Sequence, residues 1–339
     1  MQSNRTRTTP RARRAELRRG TLTAAGLVAL VGLIVAGLAL DHARTAAGTG
    51  RPVASASSAT AAAPSPASSA SGAPSVHGVV RQVVIPAPRS HFAARPGYVY
   101  LPPAALRPGA GAFPVVIALS GQSRTAGPQD VVEPGRIPTI MDRIAASHGG
   151  RAPIVVVPDQ LGQSSHNPMC VDSALGNVAT YITVDVRDWI LAHLPVRHDR
   201  RYWTIAGFSE GGTCAIQFGA GYPQLFGSLV DVSGQEAPTN GSLAHTIAVG
   251  FGGSTAAYER ATPLALLKAH APYPDTEALF TAGGADHHYG RIAPMLSRAA
   301  AAAGMHATAK LFPGLTHNWT VATDGYTWSF DRLVSRWGL

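Results

Sequence analysis

The segment Ala206-Gly207-Phe208-Ser209-Glu210-Gly211-Gly212 sets a serine between two glycines in the pattern G-x-S-x-G. A serine hydroxyl is a weak nucleophile until a neighbouring base takes its proton. Glycines at those two positions let a strand bend sharply into a helix, with the serine exposed at the bend in a strained conformation. The helix that begins beside the serine also brings partial positive charge to an oxyanion forming there. In a chain with 36 glycines the motif alone is weak. Its setting is more specific, because the apolar run Tyr202 to Ala206 precedes it and a helical pattern from Glu210 to about Gly219 follows. Ser209 is therefore the candidate nucleophile.

A base and an acid are then required further along, each in a loop after a late strand. His317 lies in Phe312-Pro313-Gly314-Leu315-Thr316-His317-Asn318-Trp319, just beyond the run Ala307 to Phe312. It can act as general base toward Ser209 and then as general acid toward the leaving group. Asp286 follows the run Glu277 to Ala282 through Gly283-Gly284-Ala285, one strand before the histidine, and is the candidate for orienting it. Asp231, in the strand after the nucleophile's helix, is the second choice. His287 and His288 adjoin Asp286, but adjacent side chains diverge and no carboxylate–histidine spacing accompanies them. No metal or other cofactor is expected.

The oxyanion of an acyl-transfer intermediate needs two N–H donors. One is the backbone N–H of Glu210, and the other is assigned to Gln122 in Ser120-Gly121-Gln122-Ser123, where Gly121 frees the turn. A Glu210 carboxylate facing that oxyanion would oppose catalysis, so its side chain must turn away or be paired. Arg124 is a candidate partner.

These residues need a scaffold. Gly78 to Ile85, Tyr98 to Leu101, Phe113 to Leu119 and Ala152 to Pro158 read as strands, as do Tyr202 to Ala206, Ser228 to Val232, Glu277 to Ala282 and Ala307 to Phe312. Helical patterns cover Ile137 to Ala146, Tyr181 to Leu194 and Tyr326 to Trp337. Strand–helix alternation predicts a mostly parallel sheet with helices on both faces, and chemistry at the carboxyl ends of its strands. The loops 123–136 and 234–274 should shape the substrate pocket, with Trp319 and Trp328 as candidate lining.

The net charge of +9 does not imply a nucleic-acid partner. Seven arginines and one acid in residues 1–20 account for six of the nine charges, and no basic–aromatic interleaving follows. This basic tail precedes Thr21 to Leu40, twenty residues without a charge, long enough to span a bilayer. The arginines place the tail in the cytoplasm and everything after residue 40 outside. A cleaved signal peptide is the competing reading; its apolar region is shorter, and both readings export the remainder. Residues 41–76, rich in Ala, Ser and Pro, read as a flexible stalk, and 77–339 as the catalytic domain. Cys170 and Cys214 lie in the exported part, where they can form a disulfide or remain two small buried thiols.

Taken together, Tyr98-Val-Tyr-Leu-Pro-Pro103, the strand ending in Ser120-Gly121, Gly207-Phe-Ser-Glu-Gly-Gly212, Gly284-Ala-Asp286 and Leu315-Thr-His-Asn-Trp319 resemble the esterase branch of the α/β hydrolases. That branch includes the esterase D-like enzymes and the antigen 85 mycolyltransferases. The resemblance implies an α/β-hydrolase fold, a Ser209–His317–Asp286 triad and oxyanion donors from Gln122 and Glu210. It implies action on a small-molecule or lipid-like ester, or acyl transfer to a cell-envelope alcohol. The strand ends in Ser-Gly where many relatives carry His-Gly or Asp-Gly, and the acid is Asp where the mycolyltransferases use Glu, so hydrolysis is the expected reaction. A serine peptidase would be expected to carry a propeller or cap domain, and none is evident. A surface-anchored binding module with a dead site would not need all three triad residue types in order.

Overall fold

A computed structural model describes residues 76–123, 125–163 and 166–339 of the chain. The basic tail, the apolar run, all but the last residue of the stalk, and Arg124 lie outside the described residues. Eight strands form one sheet: β1 (Val79–Val83), β2 (Gly97–Leu101), β3 (Val115–Leu119), β4 (Ile154–Val157), β5 (Trp203–Phe208), β6 (Ser228–Val232), β7 (Glu277–Gly283) and β8 (His306–Phe312). Their spatial order is β1-β2-β4-β3-β5-β6-β7-β8. The six strands from β4 to β8 run parallel, and β1 and β2 add an antiparallel edge. Every residue of β3, β5 and β6 is buried, which explains runs such as VVIAL that are apolar without alternation.

Helices cover both faces. On one face lie α1 (Ile137–Ser147) and the C-terminal helix α8 (Trp319–Trp337), packed through Ile140, Ile144, Tyr326 and Phe330. On the other lie α2 (residues 178–193), α3 (Glu210–Gly221), α6 (Pro263–His270) and α7 (Tyr289–Ala302). The middle of α2, Tyr181–Val186, is a π-type turn. Two short helices, α4 (Leu243–Phe251) and α5 (Thr255–Arg260), precede α6. The segment 234–274, expected as pocket-shaping loop, is thus largely helical. Ser242, Ser254 and Thr262 each accept an N–H three residues on and so start these helices.

Helix α8 starts seven residues earlier than the apolar pattern implies. Asn318 caps it, its Oδ1 accepting the N–H groups of Thr320 and Val321 at 2.9 and 3.2 Å. Gly325 interrupts the pattern because α8 presses on the sheet there: a Cβ would lie 2.5 Å from Thr281 Oγ1 and 2.8 Å from Val232 Cγ1. No helix among the described residues is long and apolar enough to cross a membrane.

The bend between β5 and α3 carries the tightest packing. A Cβ on Gly207 would fall onto the Gly211 carbonyl, and one on Gly211 onto the carbonyl of Leu119 in β3. Gly207→Ala should therefore destabilise the full chain by about 3 kcal/mol or prevent its folding. Gly221→Ala, at the end of the same helix, meets nothing nearer than Leu266 Cδ2 at 3.6 Å and should be neutral. Denaturant unfolding of the two variants checks this, and equal stabilities would remove the steric argument.

Candidate active site

The carboxyl ends of β3, β5, β7 and β8 bring the predicted residues to one edge of the sheet. Ser209 follows β5 directly with φ 58° and ψ −119°, a conformation a non-glycine residue adopts only when its surroundings enforce it. Two bonds enforce it here: the Ser209 N–H donates to the Val232 carbonyl at 2.8 Å, and its carbonyl accepts from the Thr213 N–H at 3.0 Å. Its Oγ lies 2.9 Å from Nε2 of His317. The bond links residues 108 apart in sequence and has the length and partners of a nucleophile–base pair.

The loops carrying Asp286 and His317 are strapped together. Gly284 N–H donates to Phe312 O at 2.8 Å and Ala285 N–H to Leu315 O at 3.0 Å. Gly283 is required between them, since a Cβ there would run into the Leu315 carbonyl. Asp286 Oδ1 accepts the N–H groups of His288 and Tyr289 at 2.9 and 3.1 Å, holding the start of α7. Nδ1 of His317 is buried and has no hydrogen-bond partner among the described residues. The orienting bond expected from Asp286 is therefore not formed. What Asp286 supplies is charge: burial pulls the His317 pKa below its ordinary value, Asp286 opposes this, and His288 adds to it. Asp231, the second choice, sits on the α3 side against Gly212 and Gly234, its Oδ1 accepting the Gly234 N–H at 2.7 Å. It does not figure among the charges acting on His317.

The imidazole is clamped between rings. Tyr289 stacks on one side with centroids 4.0 Å apart at 17°, and Phe208 stacks at 4.7 Å and 28°. Trp319 leans on Phe208 at 5.0 Å. A cavity of about 250 Å³ opens at Ser209, lined by Gln122, Asp130, Phe208, His317 and Trp319 among others. Trp328 is elsewhere, under the guanidinium of Arg332 at 4.2 Å. A larger cleft of about 410 Å³ along Cys170, Phe218 and Tyr222 contains neither the serine nor the histidine.

Gln122 lines the cavity and Glu210 opens α3; among the described residues neither backbone N–H has a hydrogen-bond partner. The loop that carries Gln122 is held by residues that sequence reasoning missed. Gln160 donates from Nε2 to the Ser120 carbonyl at 2.6 Å. Asp159, fully buried, takes two bonds from the Arg95 guanidinium at 2.8 Å, and Arg95 also donates to the Ala126 carbonyl at 2.9 Å. The available signal was a polar Asp-Gln pair abutting a buried strand at its carboxyl end.

The Glu210 side chain turns away along α3. Its Oε1 lies 3.9 Å from Sγ of Cys214, one turn on, and Asn167 hydrogen-bonds to it. Burial pushes this carboxyl up to about 7, the Asn167 bond partly opposing. Cys214 is joined to Cys170 by a disulfide.

A mostly parallel sheet flanked by helices, with a serine at a strained strand–helix bend bonded to a histidine after the last strand, defines an α/β hydrolase. The family model for putative esterases matches residues 93–330, and the chain belongs to that family. It is 35% identical over 256 residues to an uncharacterized protein of Corynebacterium glutamicum, an alignment covering 74% of this chain and 59% of that one. The chain thus spans 59% of that relative's length, less than two thirds. Among solved structures, a ferulic acid esterase superposes with a TM-score of 0.63 at 16% identity, over 77% of this chain and 98% of its own. An S-formylglutathione hydrolase from Agrobacterium tumefaciens gives 0.62 at 22% identity, over 78% and 97%. At these identities the two structures establish the fold.

The buried Glu210 makes stability depend on pH. A carboxyl held above its unfolded value favours the folded state below that value, near 4.5, and the gain is lost as pH rises toward 7. Asp231, buried and raised to about 7, adds a slope of the same sign. Glu210→Gln should flatten part of this fall and raise stability at pH 8 by on the order of 3 kcal/mol relative to its effect at pH 4. Denaturant unfolding at the two pH values tests it; an equal effect at both would mean Glu210 is ionised without penalty.

Proposed function

We propose that this chain is a serine esterase acting outside the cytoplasm through an acyl-enzyme on Ser209. The observation that carries the reading is the 2.9 Å bond between Ser209 Oγ and His317 Nε2 at a strained bend. In the first half-reaction Oγ attacks the ester carbonyl carbon and its proton passes to Nε2. The carbonyl oxygen becomes an oxyanion facing the N–H groups of Gln122 and Glu210, with the N-terminus of α3 adding positive potential. The carbon–oxygen bond to the alcohol then breaks, and the alcohol leaves with the proton from Nε2. In the second half, water gives a proton to Nε2 and attacks the acyl carbon; the carbon–oxygen bond to Ser209 then breaks, Oγ takes the proton back from Nε2, and the acid leaves. Asp286 is the acid of the triad in this reading, supported by its charge acting on His317 and by the straps between their loops.

The Glu210 carboxyl, turned away and pushed up to about 7 by burial, supports the role of its backbone as a donor. The 250 Å³ cavity fits one small group of an ester, with Trp319 and Phe208 giving it an aromatic wall. The disulfide supports an oxidising location, in keeping with a cytoplasmic tail over residues 1–20, an anchor over 21–40 and a stalk over 41–76.

A fluorophosphonate should label the full chain and fail to label Ser209→Ala. His317→Ala should lower ester turnover by about three or more orders of magnitude, since base and serine act as a unit. Asp286→Asn should lose activity and Asp231→Asn should retain it. Absence of labelling in a folded wild-type chain would replace the esterase reading with that of a binding module, and the reverse order of the two aspartate variants would reassign the acid.

A further inference from the structure

Resting on the esterase reading, we propose that Tyr289 is a positioning residue for the base: with Phe208 it sandwiches His317, aims Nε2 at Ser209 and stabilises the imidazolium that forms in the transition state. The geometry requires some such device. In a familiar triad a carboxylate accepts from Nδ1 and thereby fixes the ring. Here Nδ1 has no partner among the described residues, and Asp286 Oδ1 accepts the N–H groups of His288 and Tyr289 instead. Two ring faces, 4.0 and 4.7 Å from the imidazole centroid, leave it only rotation in its own plane. The bond to Ser209 Oγ then selects one orientation in that plane.

The same stack has an electrostatic effect. An imidazolium between two aromatic faces gains cation–π attraction, and more so where water is excluded. Tyr289 serves as a neutral ring whose hydroxyl also hydrogen-bonds Ser209; its phenol is pushed above its ordinary value first by burial and then by Asp286, with the bond to Ser209 opposing. The groups around His317 are Asp286 and His288 before α7, Tyr289 on α7, Ser209 and Glu210 at the bend into α3, and Asp130 in the cavity lining. Only Asp286 and His288 act appreciably on its charge. Asp286 also joins the two roles, because the backbone bond it accepts from Tyr289 places that ring over the histidine.

The test compares the full wild-type chain with Tyr289→Phe and Tyr289→Leu on a short chromogenic ester across pH. The phenylalanine variant keeps the ring face but gives up the hydroxyl's bond to Ser209, and should keep most of the activity that the leucine variant loses. The leucine variant keeps an apolar side chain without the face. Its kcat should fall on the order of tenfold with KM little moved, and the acid limb of kcat/KM, set by the free base, should move about half a unit to lower pH. Wild-type behaviour in the leucine variant, or an equal loss in the phenylalanine variant, would overturn the stacking role. If the leucine variant does not fold, the wild-type chain decides by NMR. The carbon-bound ring protons of His317, assigned by their loss in His317→Gln, should resonate upfield of ordinary histidine, and unshifted signals overturn the stack. Fluorophosphonate labelling separates the two layers. An unlabelled wild type removes the esterase reading and the role of Tyr289 with it, whereas a labelled wild type with an indifferent Tyr289→Leu removes only the latter.

Discussion

A single 2.9 Å contact between Oγ of Ser209 and Nε2 of His317 constrains most of what surrounds it. A serine hydroxyl is a weak nucleophile without a base within bonding distance, and these two residues lie on loops after β5 and β8, with two strands between. The serine can reach out only because its backbone is bent into a positive-φ conformation, which in turn needs Gly207 and Gly211 without side chains. The histidine can reach back only because its loop is strapped to the loop of Asp286, with Gly283 at the crossing. The glycines of the site serve close approach of backbone to backbone.

Charge is managed around that contact by burial and direction. Three carboxyl groups stand near the nucleophile's helix and they have different surroundings. Glu210 is buried and turned toward the disulfide, Asp231 is buried against glycines on the α3 side, and Asp286 is half-buried beside the base. The first two are pushed toward neutrality near pH 7, which reduces negative charge where an oxyanion would form. Of the three, Asp286 alone acts on the histidine, opposing the lowering of its pKa by burial. The opposite wall, around Gln122, is held by the buried Asp159–Arg95 pair and by Gln160.

The strands and the positions of Ser209, Asp286 and His317 were legible in the sequence because each depends on a local pattern: an apolar run, then glycine, then a polar residue. The boundaries of β6 agree to the residue, and those of β5 and β8 to within two. Helices α4 to α6 were missed although Ser242, Ser254 and Thr262 mark their starts, because their apolar faces are short and partly exposed. Helix α7 contains Pro294 and an alanine run, which obscured Ile292, Leu296 and Ala300 at helical spacing. The pairings of Gln160 and of Arg95 were out of reach for another reason. Their partners, Ser120 and Asp159, lie 40 and 64 residues away, and only the adjacency of β3 and β4 brings the Gln160 pair together. Tyr289 likewise gains meaning only once β7 and β8 are neighbours.

Strand β6 contributes no reacting atom, yet it lies between the two halves of the site. Its end residue Val232 accepts the Ser209 N–H, and the next residue, Ser233, donates to Thr281 in β7 at 2.7 Å. The strands that carry Ser209 and His317 therefore stand three separations of about 4.8 Å apart, and loop and side chain close the gap between the two residues. Their distance is a property of sheet twist as much as of side-chain rotamers. A change in the apolar residues beneath β6 would alter it before any residue of the active site was touched.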